Sequence, residues 1–167
     1  MKKTLFLFAV LAFISCNNEK SSFTEEYDQL MVQNDSLQQL HNQFSNTHDE
    51  MKRNHEDLAA QLDTIAVQDS TLFESMAQTE VILKKHDAML AGHEELMQGH
   101  QELKDNFGNL STDEMKAQID EMKNNHANIQ TEQEEMRNDH ENMMQVHAQI
   151  RDEIMNYDMN TEMNSSE

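Results

Sequence analysis

The most constraining feature of this chain is a seven-residue recurrence of apolar residues, with a second series, rich in histidine, three residues before them. In the first part of the chain, position d of this heptad holds Leu30, Leu37, Phe44, Met51, Leu58, Ile65 and Leu72. Position a holds Tyr27, Asn34, His41, His48, His55 and Leu62. A sustained heptad is typical of helices that pack along a shared seam, and the absence of Pro favours long helices.

The phase of the heptad changes near residues 68–71 and again near 107–111, which divides the chain into three helical segments. In the middle segment, position a holds His86, His93, His100 and Phe107, and we predict position d to hold Met89, Leu96, Leu103 and Leu110. In the third segment, position a holds Ile119, His126, Gln133, His140, His147 and Ile154, and position d holds Met115, Met122, Ile129, Met136, Met143, Ile150 and Tyr157. All nine histidines occupy one heptad position within their segments, which chance scatter does not produce.

Two all-α arrangements satisfy this pattern. In the favoured arrangement, long antiparallel helices form a three-helix, coiled-coil-like bundle that turns at both breaks. In the other, a long coiled coil runs to about Asn106 and a shorter second helix follows. At the second break, Gly108 can end a helix in the left-handed conformation, and Ser111 with Glu114 has the spacing of a capping box. The first break has neither Gly nor Pro.

The bundle predicts which residues face each other. Folding the chain between Ser70 and Thr71 gives the pairs His41–His100, His48–His93 and His55–His86. Folding it again between Asn109 and Leu110 gives the pairs His100–Ile119, His93–His126 and His86–Gln133. The predicted layer with most histidines therefore consists of His48, His93 and His126.

The N-terminal stretch MKKTLFLFAVLAFISC has the features of a processing signal. A basic start precedes an apolar run from Leu5 to Ile14, which is shorter than the roughly 20 residues of a membrane-spanning helix. The run ends at Ser15–Cys16, and polar residues follow. This resembles the lipobox of bacterial lipoproteins, in which cleavage exposes the Cys for acylation. The resemblance implies lipidation of Cys16 and, since Asn17 and not Asp follows, attachment to the outer membrane facing the periplasm.

We therefore expect four parts in the chain. They are a signal peptide at 1–15, an acylated Cys with a polar tether at 16–22, a helical heptad domain at 23–158 and a disordered tail at 159–167. Ser22 and Glu25 have capping-box spacing, which predicts a helix start near Phe23.

The chain is strongly acidic, with 12 Lys and Arg against 32 Asp and Glu and a formal net charge of −20. A polyanion of this kind excludes nucleic acid and anionic membrane surfaces as partners, whereas metal ions and other cations remain compatible. Aromatic residues make up 5% of the chain, which argues against a large globular core. The lone Cys has no partner for an internal disulfide.

Three roles are open for the histidines: half-polar core residues of a repeated heptad, metal ligands, or a pH- or stress-responsive seam. Histidines seven residues apart lie about 10.5 Å apart along a helix, so a site must combine several helices. The leading predicted set for Cu or Zn is His48, His93 and His126. The other candidate ligands are His41, His55, His86, His100, His140 and His147. Pairs such as His48 with Met51 have helical spacing and suit Cu(I).

The sequence contains no Gly-rich phosphate loop, no zincin motif and no Gly-x-Ser-x-Gly elbow, so we expect neither an enzyme nor a small-molecule substrate. The favoured function is a lipid-anchored envelope spacer or scaffold that meets other helices or a second copy and requires no cofactor. The alternatives are a periplasmic Cu- or Zn-binding protein and a pH-responsive module. The C-terminal residues NSSE lack the Lys by which small trimeric coiled-coil lipoproteins bond to peptidoglycan, so covalent wall attachment is not expected.

Overall fold

The protein is all-α, as predicted, with three helices that pack against one another. In a computed structural model, α1 spans Thr4–Thr64, α2 spans Ser70–Leu103 and α3 spans Thr112–Ser165, with a short 3₁₀ turn at Phe107–Asn109. The structure describes the backbone of residues 4–64 and 70–165, and the side chains of 18–64, 70–157 and 159. The lipidation site predicted at Cys16, the whole predicted signal peptide, the predicted tail except Met159, and residues 65–69 lie outside the described side chains.

Both ends of the helical region extend further than the sequence predicts. Ser22 lies inside α1, because the backbone is helical on both sides of it, so α1 begins before the predicted start at Phe23. At the other end, α3 continues through the predicted tail to Ser165. No helix within the described residues is long and apolar enough to span a membrane.

The chain divides into two compact units, each built from parts of all three helices. The first unit comprises Met1–Leu40 and His93–Thr131, and the second comprises His41–Gly92 and Glu132–Glu167. Since helical segments from α1, α2 and α3 pack within each unit, the bundle arrangement is confirmed and the long coiled coil is not adopted.

The first unit has an apolar end and a polar layer. At the apolar end, Tyr27 stacks on Phe107 with ring centroids 4.0 Å apart, and the Tyr27 hydroxyl donates to the carbonyl of His100 at 2.9 Å. In the polar layer, His100 bonds through Nδ1 to Asn34 Oδ1 at 3.0 Å and packs against His126, whose ring centroid is 5.1 Å away. On the other side of the polar layer, Leu37, Met97 and Ile129 form an apolar layer.

The second unit alternates apolar and histidine layers. Leu58, Leu62, Met76, Ile150 and Ile154 form its largest apolar cluster. Met51, Leu83 and Met143 form a second, smaller cluster. The histidine layers lie between and beside these clusters, so every apolar layer has a polar neighbour along the helices.

The predicted heptad is right for α1 and α3 but wrong for position d of α2. Leu96 is 36% exposed and Met89 is half-buried, whereas Leu83, Leu90 and Met97 are buried. The apolar core residues of α2 thus follow its histidines by four residues and not by three. Both spacings return a residue to the same helix face, so the sequence pattern alone did not separate them.

The predicted register is wrong by one heptad in both units. His86 was expected opposite His55 but lies beside His48, and His100 was expected opposite Ile119 but lies beside His126. α1 ends at Thr64 and α2 begins at Ser70, so the centre of the first reversal lies upstream of the predicted one, which shifts the pairings between α1 and α2.

The second fold-back differs from prediction at Gly108 and agrees with it at Ser111. Gly108 lies in the 3₁₀ turn without the expected left-handed conformation. The backbone N–H of Ser111 donates to Glu114 Oε2 at 2.8 Å, and the backbone N–H of Glu114 donates to Ser111 Oγ at 3.4 Å, so the predicted capping box is confirmed. Phe107 lies beyond the end of α2 yet packs into the core.

His126 makes the first unit sensitive to acid. It is 3% exposed, and neither ring nitrogen has a hydrogen-bond partner among the described residues. Burial, reinforced by the neighbouring His100, lowers its pKa from 6.5 to about 4. The unfolded chain therefore binds more protons between these two values, so stability present above pH 6.5 is lost as the pH falls toward 4.

We expect His126→Leu to reduce this acid sensitivity. With chelator present, the free energy of unfolding of the wild type should fall more than that of the variant, by about 2 kcal/mol between pH 7 and pH 5. Urea unfolding followed by circular dichroism at both pH values measures the difference. Equal losses in the two proteins would show that His126 does not titrate in this way.

Candidate metal centre

Three histidines, one from each helix, converge in the core of the second unit. His48 of α1, His86 of α2 and His140 of α3 are 1%, 0% and 3% exposed. Each offers a ring nitrogen, and the three nitrogens lie within 4.8 Å of one another. The ring centroids are 5.1 Å apart for His86 and His140, and 5.7 and 5.8 Å from His48 to each of them.

Two carboxylates set the orientation of two of these rings. His48 Nε2 donates to Asp87 Oδ1 at 2.9 Å, and His86 Nε2 donates to Asp139 Oδ2 at 3.0 Å. A carboxylate can only accept, so the proton of each neutral ring lies on Nε2 and the lone pair on Nδ1. A carboxylate on the outer nitrogen is the usual partner of a metal-binding histidine, because it fixes both the tautomer and the ring orientation.

One pair of inner nitrogens has a separation compatible with a bound ion. His86 Nδ1 and His140 Nε2 are hydrogen-bonded at 3.3 Å. Two nitrogens bound to one tetrahedral Zn²⁺ at 2.0–2.1 Å lie about 3.3 Å apart. His48 Nδ1 is buried without a hydrogen-bond partner among the described residues, as is His140 Nδ1. A metal ion that accepts the lone pair of His48 Nδ1 would provide a bonding partner for an atom that otherwise has none among the described residues.

Burial keeps two of these rings neutral, the form that binds metal. It lowers the pKa of His86 from its ordinary value, although the hydrogen bond to Asp139 opposes the shift. Burial also lowers the pKa of His140 to about 4, with further contributions from His86 and His48. At neutral pH both rings are therefore uncharged, the form in which an imidazole nitrogen can bind a metal ion.

The cluster of three histidines has an apolar cluster next to it along the helices and charged side chains next to it at the surface. One helical turn away, Met51 and Met143 are buried together with Leu83. At the surface, Lys52 donates to Asp87 at 2.9 Å. Burial alone would raise the pKa of Asp87, but the hydrogen bonds from Lys52 and His48 outweigh it and lower that pKa. Asp87 thus stays ionised as the partner of His48.

The structure distributes the predicted ligands over both units. The predicted leading set, His48, His93 and His126, has one member in the second unit and two in the first. All the candidate histidines are 7% exposed or less: His41, His48, His55, His86, His93, His100, His126, His140 and His147. The set that converges is His48, His86 and His140, and His55 meets His147 in a separate layer.

Sequence reasoning missed the two carboxylates. An acid next to a histidine in the sequence does not contact it, because neighbours along one helix do not share a face. The observed bonds instead join different helices: Asp87 of α2 serves His48 of α1, and Asp139 of α3 serves His86 of α2. The signal was the repeated occurrence of an acid next to a histidine, and it becomes informative only with the correct register.

The chain matches no protein-family model. It also matches no curated protein and no solved structure. The geometry of the second unit therefore carries the functional argument.

Replacing the three histidines by leucine should stabilise the protein when no metal is available. An orphaned buried polar atom costs about 1–3 kcal/mol, and leucine removes that cost at similar side-chain volume. We expect the free energy of unfolding to be higher in the triple variant His48→Leu, His86→Leu, His140→Leu than in the wild type. In the presence of chelator, the difference should be at least about 2 kcal/mol. Urea unfolding measures this, and a destabilised variant would instead assign the trio a purely structural role.

Proposed function

We propose that the protein binds a transition-metal ion through His48, His86 and His140, and that it acts by binding and not by catalysis. The observation that carries the proposal is the convergence of three buried imidazole nitrogens within 4.8 Å, one from each helix. Sequence reasoning placed metal binding second to a scaffold role, and this geometry is the reason to reverse that order.

The ligand set favours Zn²⁺ or copper. Three imidazoles with an open fourth position form the kind of site that holds Zn²⁺, and imidazole also suits copper. Hard ions such as Mg²⁺ and Ca²⁺ prefer oxygen ligands, which the centre of the cluster lacks. The net charge of −20 favours the approach of any cation.

Equilibrium dialysis of the chain against Zn²⁺, and separately Cu²⁺, tests this proposal. The wild type should bind one ion with a Kd below about one micromolar. The affinity for that ion should fall at least about 100-fold in each of the variants His48→Gln, His86→Gln and His140→Gln. It should fall about 10- to 100-fold in Asp139→Asn. His126→Gln is the matched control, a buried histidine of the other unit.

The control should bind the ion with unchanged affinity. The proposal fails if the wild type binds nothing tighter than about micromolar. It fails equally if His126→Gln weakens binding as much as the three ligand variants do, because the effect would then reflect general destabilisation.

A second part of the proposal concerns where the site works. The lipobox-like end of the apolar run, Ser15–Cys16, supports a lipid-anchored protein of the cell envelope. α1 carries both Cys16 and the ligand His48, which is compatible with a helical spacer role and with helical partners or a second copy.

Metabolic labelling with a palmitate analogue in a Gram-negative host tests the anchor. The wild type should be labelled and should fractionate with membranes, because acylation of Cys16 adds the lipid. Cys16→Ala should lose the label and leave the membrane fraction. A labelled Cys16→Ala protein would contradict the lipoprotein part of the proposal while leaving the metal site untouched.

A further inference from the structure

A second pair of histidines lies one heptad along the helices from the trio, inside the same unit. His55 of α1 places Nδ1 3.4 Å from Nε2 of His147 of α3. Both side chains are buried, at 7% and 4% exposed. Seven residues of helix correspond to about 10.5 Å, so an ion between these two rings would be distinct from one in the trio.

This pair repeats the arrangement of the trio with one ligand exchanged. Glu80 Oε2 lies 3.3 Å from His55 Nε2, on the outer side of the ring, as Asp87 does for His48. Glu80 is itself held by Lys84, whose Nζ is 2.9 Å from Oε1. Where α2 supplies His86 to the trio, it supplies Thr79 here, whose hydroxyl donates to the carbonyl of Ser75.

His55 of this pair also lines a cavity with a volume of about 250 Å³. Its lining includes His55, Glu56 and Glu80, together with the Lys52–Asp87 pair. An ion held by only two imidazoles needs further donors, and a cavity of this size admits water or a small ligand. The surrounding carboxylates favour a cation there.

We propose that His55 and His147 form a second, open site for a divalent transition-metal ion, and that Glu80 positions His55 for it. The proposal shares with the proposed function the premise that the second unit binds metal, but it concerns a different ion. The trio holds its ion by three ligands, whereas this site leaves coordination positions for exogenous donors. The second ion is therefore bound more weakly and exchanges through the cavity.

The charge state of the rings agrees with this role. Burial, with smaller contributions from His55 and Arg151, lowers the pKa of His147 to about 4. Burial also lowers the pKa of His55, although Glu80 opposes the shift. Both rings are neutral near pH 7 and can offer a lone pair to an ion.

Zn²⁺ titration calorimetry of the full chain, with variants of each site, tests the inference. The wild type should bind two ions, the second at least about 10-fold more weakly than the first. His147→Gln should lose the weaker ion and keep the tighter one, and His86→Gln should do the reverse. Glu80→Gln should lower the affinity for the second ion about 10- to 100-fold and leave the affinity for the first ion unchanged.

The matched control is Glu56→Gln, which makes the same charge change in the same cavity. It should leave the affinity for the first ion unchanged and weaken binding of the second ion much less than Glu80→Gln does. If Glu56→Gln weakens the second ion as much as Glu80→Gln does, Glu80 acts only through its charge and the positioning role is overturned. If His147→Gln binds as many ions as the wild type, the second site is overturned. If His86→Gln leaves the number unchanged, the proposed function fails instead, so the two failures are distinguishable.

Discussion

Burial of imidazole rings in the core governs how the three helices pack and which polar groups surround them. Each helix has histidine at core positions where leucine would bury more apolar area. Some of the histidine ring nitrogens have no hydrogen-bond partner among the described residues. His48 Nδ1 and His140 Nδ1 are orphaned in this way. Each such atom lowers the stability of the fold by about 1–3 kcal/mol, so a bundle with a purely structural role would be more stable without them. A bound ion offsets that cost, because it converts an orphaned lone pair into a ligand bond.

The acidic surface contributes to the same site. Asp87 and Asp139 lie on helices other than those of the histidines they contact, so they tie neighbouring helices together while fixing the tautomer. Lys52 keeps Asp87 ionised from outside. The strong negative charge of the chain is thus organised locally around the histidine layers, with carboxylates on the outer nitrogens and lone pairs directed inward.

The fold class and the buried positions could be predicted from the heptad, since all nine histidines and most of the apolar series are buried. The register could not be predicted, because two series of period seven also align after a shift of one heptad. The shift exchanged the partners of His86, from His55 to His48, and so changed the metal-binding set. The buried position of Leu83 relative to His86 in α2 could not be predicted for a related reason. Steps of three and of four residues both return to one helix face.

The ring nitrogens that bind the ion can be identified individually when one equivalent of Zn²⁺ is added. Long-range proton–nitrogen NMR spectra of the imidazoles resolve them. Nδ1 of His48, Nδ1 of His86 and Nε2 of His140 should move to the shifts of metal-bound nitrogen, while His126 is unchanged. Unchanged resonances for the trio in the presence of bound Zn²⁺ would rule out the histidine site, because the ion would then lie on the surface carboxylates.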